Sequence, residues 1–348
     1  MIVEKTSLME FLRRCQEENL GGIRKVIVPR RSMRDDKVLF FTPMAGPAEI
    51  VLDEYRTVDP VRVLFYFPRE RVLPGNPVAE KRLIVGVKAC DLKALQVLDR
   101  ALINQDFVDP LYESRRKLTT LISVDCSEIM STCHCNLVGG KPYAEEGFDL
   151  NLTTLDAQYF HISVGSGKGQ ELLDLMKQTI KINHAGEEDK NTVRERRRSM
   201  EKKLSLANTE YRRPDDYRLL KKTDIIKWVQ EASACVGCGG CTNVCPTCYC
   251  IMINDETTAA TFIKDRSYDT CQVQGYARVA GGGTPRPKMF ERFRNRYLCK
   301  FLNLPANFNL LGCTGCGRCS EVCAGKIEFR EVVKKIMEAS QVQETAHV

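Results

Sequence analysis

No stretch of the 348 residues approaches the roughly 20 consecutive apolar residues that a membrane-spanning helix needs. The first residues also lack the charged, apolar and small-residue succession of a secretion signal, so a cytoplasmic location is expected. A reducing compartment excludes a disulfide framework as the reason for 17 cysteines. No G-x-G-x-x-G fingerprint follows any strand-like run, so the chain is not expected to bind a nicotinamide dinucleotide itself. The glycines of Ala280-Gly281-Gly282-Gly283, with Arg286, offer a phosphate cradle on composition alone but read as a flexible turn. The basic run at 194–198 lacks interleaved aromatics, contains Glu195 and stands near Glu201 and Asp215. It reads as a solvated helix face, and with a net charge of only +7 no nucleic-acid partner is expected.

What the sequence does have is enough length for two domains and an ordinary hydrophobic share of 43%. Ser7-Leu8-Met9-Glu10 reads as a capping box that opens a helix ended by Gly21 and Gly22. Short, β-branched apolar runs at 26–28, 38–41, 63–67, 83–87 and 118–124 predict buried strands, and the amphipathic stretch 92–102 suits a crossover helix. These define an α/β domain over 1–168. A charged helical connector is expected over 169–230, and a helical two-cluster domain of the α-helical ferredoxin type over 231–340. Residues 340–348 read as a frayed tail.

The cysteines of the last third carry the chemistry. Cys235, Cys238, Cys241 and Cys245, followed by Pro246, form a C-x2-C-x2-C-x3-C-P run, and Cys313, Cys316, Cys319 and Cys323 repeat the spacing without the proline. Three cysteines at intervals of three wrap a loop around one four-iron four-sulfur cubane, and the fourth points away to the cubane of the other run. Two [4Fe-4S] clusters follow, one held by Cys235, Cys238, Cys241 and Cys323, the other by Cys313, Cys316, Cys319 and Cys245. Gly237, Gly239, Gly240, Gly315 and Gly317 supply the backbone freedom such loops require. Zinc also takes four thiolates, but its motifs pair two C-x2-C knuckles rather than extending one run. The gap of nearly seventy residues between the runs has room for helices, one of them at 285–298, and favours the all-helical type.

Four further cysteines gather at the ends of predicted strands: Cys90, Cys126, Cys133 and Cys135. Parallel neighbouring strands place Cys90 and Cys126 at the carboxyl edge of the sheet, where α/β folds bind ligands, and Asp91 is placed to cap a helix starting at Leu92. The residues leave open a third iron–sulfur cluster, zinc, or ordinary buried thiols, with His134 either replacing one sulfur or standing exposed between two ligands. Cys248, Cys250, Cys271 and Cys299 read as structural, and Cys15 as core.

Several segments together resemble a known family. They are Gly86-Val87-Lys88-Ala89-Cys90-Asp91-Leu92, Asp109-Pro110-Leu111-Tyr112 with Arg115-Arg116, residues 126–135, Gly147-Phe148-Asp149-Leu150, Val244-Cys245-Pro246-Thr247-Cys248-Tyr249-Cys250, Tyr268-Asp269-Thr270-Cys271 and Val279-Ala280-Gly281-Gly282-Gly283-Thr284-Pro285-Arg286. Over about residues 60–335 the chain is similar to the β subunits of cytoplasmic sulfur-reducing nickel–iron hydrogenases and to the iron–sulfur A subunit of anaerobic sulfite reductase. Ala324, Ala89 and Lys88 depart from the proline, proline and arginine expected of that family. The resemblance implies an electron-transfer subunit of a hetero-oligomer. It would stand between a flavin- and NAD(P)-binding partner and a terminal module of hydrogenase, sulfite reductase or heterodisulfide-reductase-like type. The alternative is a flavin-containing dehydrogenase subunit that uses the clusters as electron outlet.

Overall fold

The computed structural model describes residues 1–45, 50–73, 80–258 and 260–346. Its N-terminal part is an eight-stranded mixed sheet. The strands are β1 (Ile2–Glu4), β2 (Ile23–Arg31), β3 (Leu39–Pro43), β5 (Lys81–Val87), β6 (Thr119–Val124), β7 (Leu150–Thr154), β8 (Tyr159–Val164) and β9 (Ile182–Asn183), and β4 (Arg69–Leu73) lies elsewhere. The order is β3-β2-β5-β6-β7-β8-β1-β9, in which β2, β5, β6 and β7 run parallel and the flanking strands antiparallel. The central strands are buried on both faces, which is why they read as continuous apolar runs rather than alternating ones.

Side chains split between two cores by strand parity. Leu83 and Val85 meet Leu8, Phe11 and Leu12 of helix α1 (Lys5–Glu18) and Leu172, Leu173 and Met176 of the later helix α4 (Gly167–Thr179). Ile84 and Val87 meet Leu92, Leu95 and Leu98 of α2 (Ala89–Leu102) and Tyr112 of α3 (Pro110–Lys117) on the other face. Val87 shares a face with Ile84 because the register slips at Gly86, a bulge with φ +84°. A Cβ there would lie 2.5 Å from Pro29 Cγ, so only glycine passes that point, and the bulge aims the chain leaving β5 toward Lys88 and Cys90.

Several expectations need correction. The run 63–67 is not a strand: Val61–Leu64 is a 3-10 turn whose Phe65 and Tyr66 are buried against α2 and β5, so its apolar content reflects core packing without a sheet neighbour. The first helix starts at Lys5, with Ser7 already inside it, and ends at Asn19 in the left-handed region before Gly21 and Gly22. Helix α2 begins at Ala89, so Asp91 lies in its first turn rather than capping it. The gap between the cysteine runs is not all helical. It holds a hairpin, β10 (Ile251–Thr257) and β11 (Phe262–Tyr268), before the helix Met289–Leu298.

That hairpin joins the two halves of the chain, because β4 pairs with β11 to make a three-stranded sheet. Below it, Glu70 receives both Arg115 and Arg266, and Arg266 also pairs with Asp109; all four side chains are largely buried. The 21-residue α5 (Glu187–Ala207) fills the charged stretch with an exposed helix tied down at Arg197, which donates to Asp125 at 2.8 Å. The helix Phe329–Ala346 runs through most of the stretch expected to fray, anchored where Ser340 Oγ donates to Leu219 O at 3.1 Å; residues 347–348 of that stretch lie outside the described residues.

Candidate iron–sulfur centres

The sequence repeat is also a repeat of conformation. Gly237 and Gly239 have φ of +66° and +74°, and Gly315 and Gly317 have φ of +69° and +73°. Each run thus turns twice through the left-handed region, which exposes backbone N–H groups toward anions, and then enters one short helical turn, Gly240–Asn243 or Arg318–Glu321. The fourth cysteine leaves that turn on the far side, with Cys245 N donating to Thr242 O at 3.3 Å and Cys323 N to Ser320 O at 3.4 Å.

The two turns approach one another closely. A Cβ on Gly240 would stand 3.6 Å from Val322 O, and one on Gly325 would strike Ala234 O at 2.1 Å, so the chain leaving Cys323 passes beside Cys235. Cys245 is within electrostatic reach of Cys313 and Cys319. Trp228, Phe293, Tyr297, Phe301 and Phe329 form an apolar wall against which Cys235, Cys313 and Cys319 pack.

Two cations complete this environment, and sequence reading missed both. Arg296 is 7% exposed and Lys300 3%, yet among the described residues neither has a carboxylate within ion-pairing distance. Instead Arg296 lies within electrostatic reach of the Cys241 and Cys319 thiols, and Lys300 Nζ donates to Thr247 Oγ1 at 2.7 Å and to Cys248 Sγ at 3.4 Å. Burial pulls Lys300 toward losing its proton, but the thiols of Cys245, Cys248 and Cys299 outweigh it and the net shift is upward. A hydrogen bond from Cys248, helped by Lys300 and Arg296, pushes the Cys245 thiol well below its ordinary value, against burial. Burial pushes Cys241 up to about 11 and Cys313 higher still. A buried cation without an anion is costly, so this arrangement suits thiolate-bound metal that carries net negative charge.

The second group forms at the carboxyl edge of the sheet. β5 and β6 are parallel neighbours, so Cys90, in the first turn of α2, and Cys126, just after β6, do stand at one edge. The loop Thr132-Cys133-His134-Cys135 comes up beside them, and Cys126 is within electrostatic reach of Cys90, Cys133 and Cys135. Burial pushes Cys126 up to about 11, and Lys88 opposes it. Lys88, itself buried and pulled down by desolvation, donates to Leu52 O at 2.9 Å and Asp125 O at 3.4 Å.

This loop docks on the second cysteine run. His134 N donates to Gly315 O at 2.8 Å, and Cys133 Sγ lies 4.0 Å from Cys316 O. Arg56 donates to the same Cys316 carbonyl and pairs with Glu321 at 2.7 Å. Arg318 makes a two-pronged ion pair with Asp91, at 3.0 and 2.7 Å, both side chains being 1% exposed. His134 corrects both expectations for it: it is 2% exposed, its Nδ1 donates to Thr132 O at 2.9 Å, and its Nε2 faces Cys313 Sγ at 3.7 Å rather than the Cys90 group. Burial pushes it down to about 4, so the ring is neutral near pH 7.

Among the described residues no three His, Cys, Asp or Glu side chains meet tightly enough for a single metal ion. The glycine turn at 279–283 closes on itself, with Val279 N donating to Gly283 O and Gly282 N to Val279 O, which leaves those N–H groups unavailable to a phosphate. Cys15 is fully buried in the first core.

Residues 234–327 match the family model of the 4Fe-4S dicluster domain, so runs, glycines and match together define an iron–sulfur protein. Over 315 residues the chain is 32% identical to sulfhydrogenase 2 subunit beta of Pyrococcus furiosus, an alignment that covers 88% of this chain and 91% of that one. The chain belongs to the sulfhydrogenase β-subunit family, and with it to iron–sulfur electron-transfer subunits. No solved structure matches it. Among the described residues no helix is long and apolar enough to cross a membrane.

Proposed function

We propose that the chain is a one-electron relay within a hetero-oligomer, joining a flavin- and NAD(P)-binding subunit to a terminal redox module of hydrogenase, sulfite reductase or heterodisulfide-reductase-like type. The observation that carries this reading is the pair of buried cations, Arg296 and Lys300, set among thiols without a carboxylate. Such a setting favours a centre that gains negative charge when reduced. The similar Pyrococcus protein is by its name one subunit of a sulfhydrogenase, which supports an assembly with partners.

Cys235, Cys238, Cys241 and Cys323 would hold one [4Fe-4S] cluster and Cys313, Cys316, Cys319 and Cys245 the other. The passage of the Cys323 exit beside Cys235, and the nearness of Cys245 to Cys313 and Cys319, support the exchange of outer ligands. Cys90, Cys126, Cys133 and Cys135 would hold a third cluster, and the docking of their loop on Gly315 and Cys316 supports its service in the same relay. Clusters of this kind supply reversible one-electron transfer. The protein residues fix the ligands, exclude water with the aromatic wall, and set the charge through Arg296, Lys300, Lys88 and Arg56.

Anaerobically purified chain is expected to contain about four iron and four sulfide for each cluster. Cys133→Ser is expected to remove about four of each while the two ferredoxin-type signals persist. Unchanged iron in that variant would strike the third cluster from the scheme. Isolation of the tagged chain from its own cells, with the bound subunits identified, tests the relay itself; recovery without any flavin-binding or redox subunit contradicts it.

A further inference from the structure

Four cysteines outside the assigned sets, Cys248, Cys250, Cys271 and Cys299, read in sequence as structural. The fold gives three of them a different character. The foot of the β10–β11 hairpin is closed where Asp269 N donates to Cys250 O at 3.0 Å, which sets Cys250 across from Asp269, two residues before Cys271. Gln272 Nε2 donates both to Cys271 Sγ at 3.3 Å and to Arg292 O at 2.9 Å, fastening Cys271 to the helix Met289–Leu298. Cys299 follows on that helix, two turns beyond Arg292, and opens a π-helical turn, Cys299–Asn303. Such turns are rare and gather at functional sites. The Cys299 thiol is within electrostatic reach of both Cys250 and Cys271, and these two are within reach of each other.

A cysteine that merely fills a core has apolar neighbours. These sulfurs have donors instead: Gln272 on Cys271, and Tyr276 Oη 3.6 Å from Cys250 Sγ, with the buried ammonium of Lys300 beside Cys299 in the chain and acting on its thiol. Burial pushes the Cys250 and Cys299 thiols up, and Tyr276 and Lys300 oppose that rise; donors and a cation turned toward sulfur are what a metal-bound thiolate needs. No disulfide joins them.

We propose that Cys250, Cys271 and Cys299 hold a further iron–sulfur cluster through three protein thiolates, with Tyr276 placed to donate a hydrogen bond to the Cys250 sulfur. Its position is beside the second ferredoxin-type set, since Cys299 is also within reach of Cys245. The site rests on the reading of the chain as a cluster protein, but not on the third cluster at Cys90.

The test is iron, acid-labile sulfide and paramagnetic signals of the anaerobic full-length chain, compared among wild type, the double variant Cys271→Ser/Cys299→Ser, and Cys15→Ser as a thiol control. The double variant is expected to lose about three to four iron and matching sulfide, and the control none. Wild-type iron in the double variant overturns the site, and so does zinc found there without sulfide. Should the double variant not fold, native mass measurement of unaltered protein and of Cys133→Ser decides. One cluster beyond the two ferredoxin-type clusters must remain in Cys133→Ser, and a count of two there overturns the proposal. Iron missing from every form sinks the dicluster reading instead, a separate outcome.

Discussion

Arg318→Met is expected to lower the stability of the cluster-loaded protein by about 3–5 kcal/mol, because it leaves Asp91 charged and buried with no cation. The pair is 1% exposed on both sides and two-pronged, and Arg318 Nε also donates to Thr57 O at 3.0 Å. Asp91 keeps only the long bond from Val61 N at 3.3 Å once the guanidinium is gone. Replacing both partners, as Arg318→Met/Asp91→Leu, is expected to recover most of the loss, since an apolar pair of similar volume has no buried charge to compensate. Anaerobic denaturant unfolding measures both. A single variant within about 1 kcal/mol of wild type, or a double variant no better than the single, would refute a compensating buried pair. The location makes the pair matter for electron transfer, since it clamps the turn between Cys316 and Cys319 to the start of α2, where Cys90 sits.

Gly315→Ala is expected to be more damaging to cluster content than any other single methyl addition in the runs. The residue has φ +69°, and a Cβ there would stand 2.3 Å from Cys135 Cα and 2.4 Å from Cys135 N. Backbone on both sides gives no flexible atom to yield. Left-handed strain alone is worth about 1–2 kcal/mol. The rest of the cost is displacement of the 132–135 loop from the second run, with the His134 N to Gly315 O bond lost. Gly282→Ala separates the two terms, since Gly282 has φ +78° but nothing within 4 Å of the added methyl. Gly315→Ala should lose iron from both the second run and the Cys90 group, while Gly282→Ala keeps its full complement. Equal iron in the two variants would mean that the loop does not dock as described.

The 4Fe-4S dicluster domain was readable because the spacing of the two runs is itself the chemistry: ligand intervals are local and repeat. The Cys90 group was readable at its ends, since strand runs at 83–87 and 118–124 place both carboxyl ends once the strands are parallel neighbours. The cations were not readable. Arg296 and Lys300 sit in an ordinary amphipathic helix pattern, and only the tertiary fold shows that their carboxylates are missing. The hairpin at 251–268 was hidden for a related reason. Its strands are polar, reading Ile-Met-Ile-Asn-Asp-Glu-Thr and Phe-Ile-Lys-Asp-Arg-Ser-Tyr, and one of the three strands in that sheet comes from Arg69–Leu73, nearly two hundred residues away. Segment 63–67 failed in the opposite sense, as apolar and β-branched residues there serve a core without forming a sheet.

The strand Arg69–Leu73 inside the hairpin sheet bears on how the chain can be divided. Residues 234–327 look in sequence like a portable cassette, ready to be cut out and grafted. Yet that piece leans on Arg62, which donates to Asn243 O and Cys248 O, on Arg56 at Cys316, and on a borrowed outer strand. Excised, it would present a raw sheet edge and three unclothed carbonyls. A protease nick in the connector, by contrast, would leave two fragments still laced together, travelling as one particle until a denaturant parts them.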